Sequence, residues 1–217
     1  MSKEDTFFKS NDEVMYGIKQ NLIRMLMDRG FVNKKNYEKV VNSIINNNKE
    51  EFIINIDNER NYNTLIENKE IIIKIFNYNI TSTAKDSEIY GFISKNMDKY
   101  VIIIAKEINN KSKTFLKMMK NKFLLKNKIV NCEIEYFNFF ELSFIVVDHI
   151  FQPNFEPMNI DDEKQFFEEY NTVKKKNMSR IHVDDPVSKY YNLKPTNIIK
   201  IFRTTDGGLC FSYSVIM

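Results

Sequence analysis

The stretch RIHVDDPVSKYYNLKP, residues 180–195, gathers His182, Asp184 and Asp185 within four positions, with Ser179 just ahead of it. A histidine beside two carboxylates supplies the groups from which acid–base and metal sites are built. The spacing argues against both. A metal takes three or four ligands converging from separate elements, whereas His182 and Asp184 share one side of a short extended run. Asp185 has another use, since it precedes Pro186 and fits an N-cap. A proline at the first helical position loses no hydrogen bond. The helix so opened, PVSKYY, stops at Asn192, the residue type after glycine most tolerant of left-handed backbone. Around Ser179 there is no GxSxG elbow, and neither GxxxxGK[ST] nor GxGxxG occurs among five glycines. His149 stands alone at a strand end and fits a structural role. Cys210, in a sheet strand, fits a small buried hydrophobe. No catalytic residue, metal or cofactor is expected.

A second kind of chemistry is electrostatic. Residues 106–128 hold lysines at 106, 111, 113, 117, 120, 122, 126 and 128 against one acid, Glu107. Eight lysines and one acid leave a local net of +7, more than the +3 of the whole chain, so the remainder is net acidic. A basic patch on a near-neutral body suits contact with a phosphate backbone, non-specific and salt-sensitive. A solvated face in a lysine-rich sequence would look the same.

The elements that would position these groups follow from composition and periodicity. The chain has 217 residues, 43% hydrophobic with 18 Phe and 11 Tyr, which is ample for a packed core. Two cysteines, Cys132 and Cys210, give neither a disulfide framework nor zinc spacing and suit a reducing compartment. The polar start MSKEDTFFKSNDE lacks a signal-peptide pattern, and no apolar run is long enough to span a bilayer, so an intracellular protein without membrane contact is expected. Heavy use of Asn, Ile and Lys fits the coding of a host or virus with an AT-rich genome.

Val14, Ile18, Leu22, Met25 and Leu26 predict a helix over about 11–29 with Gly30 as its cap, and Tyr37 to Ile45 predict a second. FIINI (52–56), IIIKIF (71–76) and YVIIIA (100–105) predict strands, the last two buried on both faces. EIYGFISKN (88–96) and KTFLKMMKNKFL (113–124) predict helices between strands. In the latter, Phe115, Leu116, Met119 and Phe123 lie opposite Lys113, Lys117 and Lys120. CEIEYF (132–137) and SFIVVD (143–148) predict further strands. HIFQPNFEPMN (149–159), with Pro153 and Pro157, predicts a linker or domain boundary. Next comes a helix, IDDEKQFFEEYN, with Asp161 or Asp162 as N-cap. RIHV predicts a short strand, and NIIKIFRTT a longer one. A hairpin turn at Asp206–Gly208 leads into the closing strand LCFSYSVIM.

The C-terminal pattern carries a resemblance. Arg180-Ile181, Asp185-Pro186-Val187, Leu193-Lys194 and the strand from Ile198 through Lys200 to Arg203 keep the order and spacing of a known module. The pattern resembles the C-terminal module of the fifth subunit of eukaryotic nuclear RNA polymerases and its archaeal counterpart. His149, Pro153, Glu163 and Tyr170 extend the likeness upstream, and MLMDRGF (25–31) resembles the end of that family's first helix. The archaeal form has the C-terminal module alone, so a long N-terminal part implies the eukaryotic or large-virus type. Glycines usual in the pattern are replaced by Asn192 and Thr196. Asn192 suits a left-handed cap, whereas at the second place Asn197 is expected to take that conformation in place of Thr196.

The resemblance implies an α/β N-terminal jaw domain (1–148) plus a small α+β C-terminal domain with a mixed sheet (149–217). It implies a non-catalytic subunit of a DNA-dependent RNA polymerase. Partners would be the largest subunit, docked through Arg180, Ile181, Asp185, Pro186, Val187, Leu193, Lys194, Lys200 and Arg203, together with other polymerase subunits. Downstream duplex DNA would lie near Lys111, Lys113, Lys117 and Lys120. There the family's Thr-Pro-Ser-Ala loop corresponds to Asn110–Thr114, without its proline and alanine. The compartment would be the nucleus for a cellular protein, or a viral factory or virion for a viral one. The enzymatic alternative is a nuclease-like α/β domain that processes DNA, although no convergent Asp/Glu/Lys set stands out.

Overall fold

A computed structural model describes residues 11–45, 50–56, 70–84, 87–96, 99–127, 133–170, 174–205 and 207–217. The chain divides into two compact units. The first runs to Phe144, and the second comprises Ile145–Met217 together with Asp28–Gly30.

The first unit opens with α1 (Asn11–Asp28) and α2 (Tyr37–Ile45). Ile18, Leu22, Ile23, Met25 and Leu26 form the fully buried stripe of α1. Gly30, at φ 81°, lets the chain leave the helix while the Phe31 N–H returns to the Leu26 carbonyl at 2.9 Å. A four-stranded sheet follows, in the order β1 (Glu51–Asn55), β2 (Glu70–Phe76), β3 (Tyr100–Ala105), β4 (Glu133–Asn138). β1 is antiparallel to β2, while β2, β3 and β4 run parallel. Parallel neighbours need crossovers, and α3 (Glu88–Lys95) and α4 (Asn110–Asn127) supply them. β3 is buried at every position, as its unbroken apolar run predicts. One face packs Ile72, Val101, Ile103 and Ile134 against Ile89, Phe92 and Ile93 of α3 and Leu116 and Met119 of α4. On the other face Ile71, Ile73, Ile75, Ile102 and Ile104 are equally buried, and Tyr100 meets Phe31 edge-on at 5.7 Å.

SFIVVD does not form a strand. A helical turn, α5 (Phe139–Leu142), begins directly after β4, and Val146–Asp148 is a single 3₁₀ turn. The Glu141 carboxylate accepts the Asn138 N–H at 2.8 Å, which fixes the reversal. Val146 and Val147, partly buried, then pack against the core of the second unit without joining a sheet.

The second unit is a mixed sheet in the order β5 (Asn154–Pro157), β7 (Ile198–Thr205), β8 (Gly208–Ile216), β6 (Ser179–Ile181). β7 is antiparallel to both β5 and β8, while β6 runs parallel to β8. Two helices accompany it, α6 (Ile160–Glu169) and α7 (Pro186–Tyr190). The expected linker therefore contains a strand. Pro157 is tolerated in β5 because the strand is an edge with a single ladder, to β7. The N-cap of α6 is Asn159, not Asp161 or Asp162: its side chain accepts from the N–H groups of both at 2.9 and 2.8 Å. Ile199, Ile201 and Ile216 of the sheet close the core with Val187 and Leu193. Cys210 is exposed, contrary to the sequence expectation, because the hairpin runs on beyond this core. Asp206 and Cys132 lie outside the described residues.

Candidate functional site

The DDPV stretch builds a helix, not a reactive centre. Asp185 caps α7, its carboxylate accepting the Val187 N–H at 2.9 Å with Pro186 in the first turn. At the other end Asn192 is left-handed, at φ 51°. The Leu193 N–H reaches the Ser188 carbonyl at 2.9 Å and the Asn192 N–H reaches that of Lys189 at 3.1 Å. Those two bonds are the Schellman pattern, with Leu193 as its apolar contact. His182 is exposed, and its Nδ1 accepts the Asp184 N–H at 3.1 Å. Among the described residues no three His, Cys, Asp or Glu side chains are placed to hold a metal.

The sequence marks Gly30 as a helix cap but assigns Asp28 and Arg29 no task. In the second unit, Arg29 is 3% exposed, and its guanidinium donates to the last carbonyls of α7, Tyr190 at 2.6 Å and Lys189 at 2.8 Å. Asp28 accepts the Tyr190 hydroxyl at 2.6 Å. A charged fork thus adds donors at the C-terminal carbonyls of a five-residue helix, that of Lys189 already holding the Asn192 N–H. A partner about 160 positions away along the chain leaves no periodicity to find.

Glu163 is a second tie. One carboxylate oxygen accepts the Ile198 N–H at 3.1 Å and the other takes Lys175 Nζ at 2.7 Å. Lys175 also donates to the Thr196 carbonyl at 2.7 Å. Thr196 itself has φ 78°, so the left-handed position falls on it and not on Asn197. Asn197 instead donates its N–H to the Lys194 carbonyl at 3.0 Å and accepts the Lys194 N–H on its side chain at 2.7 Å. The Thr196 N–H is held by the Ile216 carbonyl at 2.9 Å. These bonds fix the turn, and the threonine bears its strain.

The residues expected at a docking face divide by depth. Arg180, Pro186 and Arg203 are exposed, and Ile181, Asp185, Lys194 and Lys200 half-buried. Val187 and Leu193, at 4% and 5% exposure, are core.

The basic segment also takes a form that the sequence did not predict at its start. Asn110–Thr114 is the first turn of α4 and not a loop. Asn109 accepts the Ser112 N–H at 2.7 Å and donates to the Thr81 carbonyl at 2.9 Å, and Ser112 is buried. Lys111 and Lys117 are exposed and Lys113 half-buried, on a helix whose Leu116 and Met119 are buried. Lys120 lies on the same helix, and Lys128 falls outside the described residues. Lysines in a first turn oppose the helix dipole, so they are not there to stabilise the helix.

Two comparisons with known proteins bear on these sites. Residues 144–211 match the family model described as RNA polymerase Rpb5, C-terminal domain. Along its length the chain is similar to the DNA-directed RNA polymerase subunit 5 of Acanthamoeba polyphaga mimivirus. The two are 26% identical over 217 residues, 96% of this chain and 95% of the relative.

Proposed function

We infer that this chain, Rpb5-like in its last third and similar along its length to a viral polymerase subunit, is a non-catalytic subunit of a DNA-dependent RNA polymerase. One observation carries the reading: the family match begins at residue 144, and the second compact unit begins its long segment at Ile145. A segment with its own sheet and core is the form an assembly module takes. In this reading it docks to the largest subunit. Arg180, Pro186 and Arg203 stand at the surface, Ile181, Asp185, Lys194 and Lys200 at its edge, and Val187 and Leu193 beneath. The first unit brings Lys111, Lys113, Lys117 and Lys120 of α4 toward downstream duplex DNA, touching phosphates and not bases. The protein then works wherever its polymerase does, in a nucleus, a viral factory or a virion.

The test is affinity purification of the tagged full-length chain from its own cells or virions. Polymerase subunits are expected as the stable partners. A stable partner set without them would sink the reading. The DNA-facing part is tested by replacing the four lysines with glutamate in the assembled enzyme. DNA retention should weaken, and the slope of log affinity against log salt should fall by about 0.9 for each phosphate that is no longer neutralised. An unchanged slope refutes that part alone.

A further inference from the structure

The β7–β8 ladder pairs Lys200 with Tyr213, Phe202 with Phe211 and Thr204 with Leu209, so these side chains share one face of the hairpin. Helix α6 covers that face only at its Tyr213 end, where the Phe166 ring lies 4.4 Å from that of Tyr213. Past this cover Phe211 is 54% and Leu209 69% exposed, side by side. Between α6 and the strands lies a groove of about 310 Å³. Its walls carry Glu156, Asp162 and Glu169, and its floor is Phe166 and Tyr213. Burial first, and then the Glu169 and Glu156 carboxylates, hold the Tyr213 phenol above its ordinary pKa, so those acids act on the floor of the groove. Lys200, also on the lining, stacks its ammonium over the rings of Phe202 and Phe211 at 4.8 and 4.9 Å.

We propose that the groove and the apolar strip beside it form one docking surface for a polypeptide segment. That segment sets an Arg or Lys side chain among Glu156, Asp162 and Glu169 and lays apolar side chains on Phe211 and Leu209. Charge selects this occupant. Three carboxylates against one lysine repel a nucleic-acid backbone. They also repel a second copy whose two-fold axis runs through the groove, which would set one acidic groove against another. A guanidinium or ammonium among them would meet aromatic faces as well as carboxylates. Exposed apolar area grouped on one face supplies the rest of the contact. The inference deepens the docking function proposed above by giving the chemistry of the segment that this face receives.

The experiment uses the full-length chain without polymerase, so its outcome is independent of co-purification. A fluorescent twelve-residue peptide of alternating Leu and Arg is titrated by anisotropy, with a Leu and Glu peptide as control. The Leu–Arg peptide should bind at least about tenfold more tightly than the control. Phe211→Asp and the double variant Glu156→Gln/Glu169→Gln should each weaken it by a similar factor. All three positions are exposed, and thermal melts check the fold; if Phe211→Asp unfolds, the double variant carries the test. Equal binding of the two peptides, no binding, or binding unchanged in the variants overturns the proposal. So does self-association that Phe211→Asp abolishes, since the occupant would then be a second copy.

Discussion

Thr196 shows how a single residue can run against its own chemistry. Pro195 fixes the second position of the turn from Lys194 to Asn197, and Thr196 follows at φ 78° where a type II turn asks for glycine. A β-branched residue there costs about 1–2 kcal/mol, and glycine would return part of the gain through its freer unfolded chain. Thr196→Gly should therefore raise the unfolding free energy of the second unit by about 0.5–1 kcal/mol, measured by urea denaturation. No gain, or a loss, would show that the threonine side chain contributes something the turn needs. Asp185→Ala should act oppositely, lowering it by about 1 kcal/mol as the cap on α7 is lost. Asn192 was legible in the sequence because a Schellman cap is local chemistry. Thr196 was not, because its supports come from Ile216 and Lys175, which a linear reading does not place beside it.

At the level of elements, β2 and β3 were legible because burial on both faces writes a nearly continuous β-branched run. SFIVVD has the same texture and became turns, since an apolar run states a need for burial but not the form that meets it. Within β2 one lysine interrupts the run. Lys74 pairs with Glu88 at the start of α3 at 2.7 Å, and the Tyr78 hydroxyl donates to the same carboxylate at 2.9 Å. The Lys74 bond first, then that of Tyr78, holds the Glu88 pKa below its ordinary 4.5. Burial, followed by Glu88, pushes the Tyr78 phenol up to about 12. A depressed carboxylate stabilises the fold above its unfolded pKa, and that contribution fades as pH falls through the folded one. Glu88→Gln should thus lower the melting temperature at pH 7 and flatten its decline between pH 5 and pH 3. Because Glu88 is half exposed the effect should stay below about 1 kcal/mol and shrink in salt. Parallel melting curves for variant and wild type over that range would refute the linkage. The tyrosine has the opposite sign: its contribution is present below pH 10 and is lost as pH rises through about 12, which an ultraviolet titration of Tyr78→Phe against wild type would reveal.

At the scale of the molecule, the second unit is not one continuous stretch of chain, since it includes Asp28–Gly30. That was only half legible: the resemblance pointed to the run around Gly30 and to the DPV helix separately, and nothing in the sequence says that they meet. Their meeting has an energetic consequence. Arg29 serves two α7 carbonyls, and Asp28 takes the Tyr190 hydroxyl, all in a largely buried place. Removing a buried charged donor costs about 1–3 kcal/mol for an acceptor left without another partner, and the Lys189 carbonyl keeps the Asn192 N–H. Arg29→Ala in the full-length chain should therefore speed hydrogen exchange at the amides of Tyr191 to Leu193, which close α7. A fragment of residues 145–217 should show the same loss, because it lacks the same donor. Arg29→Lys should fall between, since one ammonium cannot reproduce the two-pronged geometry of a guanidinium. If all three behave like wild type at those amides, α7 stands without the Arg29 fork, and residues 145–217 are sufficient as a module.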